Sequence, residues 1–136
     1  MYEPTQEQLD HFKVVEGSYG PRSALILDVA FKSRMTWKEA FQLVIAKWVV
    51  IRRWFLRHRY VQQVSDGNVD TCALCIRCRY SSCSRCPVYK YTGEIFCRAT
   101  PYIAYSEAES REESLKKVRA VIKFAQKLYA HLYGEV

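Results

Sequence analysis

Apolar side chains recur at spacings of four and three from Trp37 onward, through Phe41, Val44, Trp48, Ile51 and Phe55, with His58 closing the stripe. That is the period of one face of an α-helix. Thr36-Trp37-Lys38-Glu39 supplies a capping box at its start. Ala40, Leu43, Ile45, Val49, Val50 and Trp54 widen the apolar surface beyond one stripe. A helix that is apolar on several sides is expected at the centre of the fold. Arg52, Arg53, Arg57 and Arg59 fall in its last turns, where positive charge complements the helix dipole.

A second stripe runs through Leu115, Val118, Ile122, Ala125, Tyr129 and Leu132. Ser106-x-x-Glu109 and Ser110-x-x-Glu113 are alternative caps for this terminal helix. Glu107, Glu109, Glu112 and Glu113 stand at its start and Lys123 and Lys127 in later turns, as the dipole prefers. Pairing of the two long amphipathic helices is the simplest architecture, within one chain or across a homodimer.

Shorter segments are less determined. Thr5-x-x-Gln8 with Leu9, Phe12 and Val15 predicts a short amphipathic helix over Thr5 to Glu16, stopped by Gly17-Ser-Tyr-Gly-Pro21. The run Ala24-Leu-Ile-Leu-Asp-Val-Ala-Phe31 fits a buried helix or a buried strand, since period does not separate the two over so short a run. A helix over Arg22 to Arg34 is the favoured reading. Ser65-Asp66-Gly67-Asn68 is a polar break. The fold class expected is mostly α: one domain over 1–136, its two long helices joined by a cysteine-rich insertion at 71–98 that includes one small β-hairpin.

All six cysteines lie in that insertion, as Cys72-x2-Cys75-x2-Cys78-x4-Cys83-x2-Cys86-Pro87 with Cys97 after ten intervening residues. Two C-x2-C pairs place four thiolates where one ion can be shared, so zinc on Cys72, Cys75, Cys83 and Cys86 is the leading reading. A hairpin of Val88–Tyr91 and Glu94–Cys97 about Thr92-Gly93 would set Cys97 opposite Val88 and make it an alternative ligand. An iron–sulfur cluster is a second option, because three cysteines at x2 spacing followed by a Cys-Pro step match part of a bacterial ferredoxin pattern. Three disulfides are the third.

Cys72-Ala-Leu-Cys75, Cys83-Ser-Arg-Cys86-Pro87-Val88, Thr92-Gly93 and Cys97-x-x-Thr100-Pro101-Tyr102 together resemble small cysteine-rich proteins of unknown function encoded by phages and archaeal viruses. The likeness covers about a quarter of the chain. It implies a viral origin and adds no mechanism. Cys78 is extra to that pattern, which implies that the other five cysteines are the essential set.

Composition narrows the class further. At 136 residues the chain is long enough to bury a core of its own, and 49% hydrophobic with 26% charged residues is globular usage. The longest apolar run, Leu43 to Ile51, is broken by Lys47 and followed by Arg52-Arg53, short of the roughly 20 residues of a membrane span. Met1 to Asp10 is acidic and lacks the apolar stretch of a secretory signal. An intracellular address is expected, in the host cytoplasm for a viral protein, which favours a metal over disulfides. A single asparagine, ten tyrosines and many arginines lean thermophilic, and intracellular proteins of hyperthermophiles keep the disulfide option alive.

Catalysis has little support. His11, His58 and His131 fall on predicted helices, with no H-E-x-x-H or G-x-S-x-G motif. A C-x2-C thiol redox enzyme is the best catalytic option, but a βαβ scaffold for it is not expected from the sequence. The net charge of +7 matches the surplus in Arg22 to Tyr60, which holds nine basic residues against two acids. Arg52, Arg53, Arg57 and Arg59 interleave with Trp54, Phe55 and Tyr60, and the insertion adds Arg77, Arg79 and Arg85. Phosphate contacts beside stacking rings suit DNA or RNA. The expected function is therefore non-enzymatic binding of nucleic acid, or of another protein, by a surface that a structural metal site stabilises.

Overall fold

The computed structural model describes residues 1–16, 22–66, 71–78, 86–93 and 100–134. Two long helices organise it: α2 (Trp37–Arg57) and α6 (Arg111–Tyr133), the latter capped by the hydroxyl of Ser110, the second of the two caps read from sequence. In chain order the other elements are α1 (Gln6–Leu9), β1 (Phe12–Glu16), β2 (Arg22–Leu27), β3 (Gln63–Ser65), α3 (Ala73–Cys78), α4 (Pro87–Thr92) and α5 (Pro101–Ser106).

The long helices pack antiparallel within one chain. Phe41, early in α2, contacts the rings of Tyr129 and Tyr133 late in α6, and Gln42 Nε2 donates to the Tyr129 hydroxyl at 2.9 Å. At the opposite end Arg111 reaches the carbonyls that finish α2. Ala40, Phe41, Ile45, Ala46, Ile51 and Phe55 are buried against several elements, which is why the apolar residues of α2 exceed one stripe. On α6 the expected face from Val118 to Tyr129 is buried, whereas Leu132 is exposed.

The N-terminal third departs from the helical expectation. The capping box at Thr5 is present, but the helix it starts ends at Leu9, and Phe12–Glu16 is a strand. Phe12 and Val14 point to the core while Lys13 is exposed, the alternation of a half-covered strand. The favoured helix over 22–34 is replaced by β2, which pairs antiparallel with β1 in the register Val14↔Leu25. Pairing satisfies the backbone of a six-residue run that is too short to gain much from a lone helical turn.

β2 then pairs in parallel with β3, with α2 as the crossover between them. The chain thus contains the β-α-β connection that its sequence gave no sign of. Tyr105 donates to the Val64 carbonyl, Gln63 Nε2 to the Ala108 carbonyl at 3.0 Å, and Ser114 Oγ to the Gln62 carbonyl at 3.2 Å, binding the sheet to α5 and α6. Among the described residues no helix is long and apolar enough to cross a membrane.

Candidate functional site

Two regions carry chemistry: the cysteine segment and the C-terminal end of α2. In the first, Cys72 precedes α3, and Cys75 and Cys78 lie on it. The Cys72 sulfur accepts a hydrogen bond from the Cys75 thiol and from the backbone N–H groups of Cys75 and Leu74. The Cys75 bond, reinforced by the Lys47 charge, outweighs burial and holds the Cys72 thiol down at about 6, against an ordinary 9.0. Cys86 is the N-cap of α4, without a side-chain capping hydrogen bond, and is followed by Pro87 at the first helical position. Burial dominates there, and with the charges of Cys72 and Cys78 it pushes Cys86 up to about 11.

Cys78 is therefore not apart from the other thiols: it is buried and its charge is felt at Cys86. Cys72, Cys75, Cys78 and Cys86 are not joined in disulfides. Among the described residues no three His, Cys, Asp or Glu side chains converge to hold a metal ion. Of the expected ligands, Cys83 and the alternative Cys97 lie outside the described residues.

The expected hairpin is overturned in its first arm. Pro87–Thr92 is helical, and Gly93, at φ 76°, ends it in the left-handed conformation that glycine adopts without strain. Thr92-Gly93 is a helix stop, and the expected second arm, Glu94–Cys97, lies outside the described residues. Thr100-Pro101-Tyr102 is likewise a helix start, with the Thr100 hydroxyl accepting from Tyr102 N–H at 3.3 Å.

Lys47 was legible only as a break in an apolar run. It is 2% exposed, 3.3 Å from Asp66 Oδ2 and 5.3 Å from the Trp48 ring centroid. Its partner precedes the cysteine segment, and Thr71 donates to the Asp66 carbonyl, so the segment is tied to α2 where it begins.

In the second region, Arg53, Arg57 and Arg59 are exposed and Arg52 is half-buried. None of the four forms an ion pair among the described residues. The helix end does not rely on them. Arg111 donates to the carbonyls of His58 and Val61, both at 3.0 Å, and to that of Phe55, so it takes up the acceptors left open there. Trp54 Nε1 donates to Ser23 Oγ at 3.1 Å and stacks on His58 with centroids 3.9 Å apart. His58 meets Tyr60 edge-on at 5.8 Å, and the Tyr60 hydroxyl donates to Glu16.

The two arginine groups are not brought together. Arg77 stacks on Trp37 at 4.5 Å and donates to the Met35 carbonyl at 2.7 Å. It thus belongs to the N-terminal end of α2, about 30 Å of helix away from Arg57 at 1.5 Å per residue. Arg79 and Arg85 lie outside the described residues.

No protein family, curated protein or solved structure matches the chain.

Proposed function

We propose that the protein is a non-enzymatic nucleic-acid-binding protein of viral origin, which contacts phosphates through Arg52, Arg53, Arg57 and Arg59 and carries a structural zinc site on Cys72, Cys75, Cys83 and Cys86. One observation carries the reading: Arg111 caps the carbonyls at the end of α2, and the arginines there form no ion pair among the described residues. Unpaired guanidinium groups on one helix end are the electrostatic footprint of a polyanion partner. The likeness of the cysteine motif to viral proteins supports the origin. The N–H bonds to Cys72 support ligation there, since they favour its thiolate.

Affinity for nucleic acid should fall steeply with salt, and R53E with R57E should weaken it without lowering the unfolding temperature. Binding that ignores salt, or no binding, would reject the reading. Elemental analysis of the purified protein, with a thiol count, tests the zinc.

Thiol redox chemistry is the second reading. Cys72-x2-Cys75 has the lowered thiol pKa that such chemistry uses, and the β2-α2-β3 crossover removes the objection that no β-α-β unit is present. Turnover of a disulfide substrate, abolished by C72S, would favour it over a structural site.

A further inference from the structure

Resting on the nucleic-acid reading, we infer that the partner is single-stranded, and that the exposed ring of Tyr60 beside the Trp54–His58 stack is the surface on which an unpaired base lies.

The rings at this end of α2 are placed differently from those of the core. Phe55 is fully buried, whereas Tyr60 is 56% exposed and Leu56, on the neighbouring turn, is 52% exposed. Two large apolar side chains are thus open to a partner at the basic end of α2. Their orientation is fixed from below. Ser23 holds the Trp54 indole, Trp54 carries His58, and Glu16 holds the Tyr60 hydroxyl, so the Tyr60 ring is presented at little entropic cost.

Charge decides the occupant. Arg57 and Arg59 flank His58 in sequence and Arg53 lies one turn before Arg57, all exposed and without acid partners among the described residues. Glu16 is the acid that faces the platform. It accepts a hydrogen bond from the Tyr60 hydroxyl and keeps its charge, against which stand the three exposed guanidinium groups of Arg53, Arg57 and Arg59. In a duplex the base faces are covered by one another, so a protein ring finds nothing to stack on. In a single strand every base offers a face, and stacking on aromatic residues beside a basic track is how such strands are held without regard to sequence.

The test uses the full chain with a fluorescent oligothymidylate and a duplex of the same length, read by anisotropy at fixed low salt. The single strand should bind more tightly than the duplex. Tyr60→Ala should lower its affinity about tenfold, while Tyr60→Phe, which keeps the ring and loses only the Glu16 bond, should retain most of it. Equal or tighter duplex binding, or a folded Y60A that binds the single strand like the wild type, overturns the inference. If R53E and R57E still weaken binding in that case, the nucleic-acid reading survives it. No binding to either strand rejects both. Should Y60A fail to fold, the strand preference of the wild type decides alone.

Discussion

Lys47 Nζ lies 3.3 Å from Asp66 Oδ2, with the lysine buried in the middle of the central helix and the aspartate at the entry to the cysteine segment. Asp66→Ala leaves a cation without its counter-charge in the core and should cost about 3–5 kcal/mol. Lys47→Met should cost less, because Asp66 is nearer the surface and can recover water, and the double variant should regain part of the loss. Urea denaturation of the three variants measures this. An Asp66→Ala protein as stable as the wild type would show that the pair contributes nothing.

Arg111 spans three carbonyls at the end of α2. Arg111→Ala should destabilise the protein by about 2 kcal/mol, the range for hydrogen bonds to a charged donor. Arg111→Lys should recover little, since one ammonium does not reproduce a planar fork of donors. Hydrogen exchange at the His58 amide, which closes the last turn onto Trp54, should quicken in both variants.

The thiols of the metal-free protein should titrate far apart. Alkylation of Cys72 should be half-maximal near pH 6, and that of Cys86 only near pH 11. The consequences for stability have opposite signs. Cys72, lowered on folding, stabilises fully above its ordinary 9.0 and loses this as pH falls through 6. Cys86, raised on folding, stabilises below 9.0 and loses this as pH rises through 11. The thiol contribution is therefore greatest near pH 9. Mass-spectrometric mapping of alkylation against pH checks the assignment.

If the proposed zinc is bound, chelating it should loosen the cysteine segment and leave the helix pair standing. Phe41, Ile45, Ile51, Phe55, Val118, Leu128 and Tyr129 fill the core between the two long helices, and Cys78 and Cys86 join the same cluster from the cysteine segment. Far-ultraviolet circular dichroism should change little on chelation, while amides in α3 and α4 lose protection. Cooperative loss of the whole spectrum would instead make the metal the organiser of the fold.

The long helices were legible because six or seven apolar positions at one period, with a capping residue ahead of them, leave no competing assignment. The sheet was not. Leu9, Phe12 and Val15 are three apart and mimic a helix face, while the deciding alternation of Phe12, Lys13 and Val14 is only three residues long. β3 is three residues with a single buried valine, too brief for any pattern. Thr92-Gly93 went astray because a glycine at positive φ ends a helix as readily as it turns a hairpin. At the candidate site the arginines of α2 were legible from charge. The residue that caps the helix end, Arg111, lies more than fifty positions away and carries no local signal.

The parallel pairing of β2 with β3 has a kinetic corollary. Thirty-five residues, including all of α2, separate the ends of these two strands, and their loop closes only once that helix is formed and laid down. The short last strand, held from the other side by Tyr105, Gln63 and Ser114, should thus be among the latest pieces to dock. Newly made chains would pass through a stage in which the paired β1 and β2 present an open edge to their neighbours.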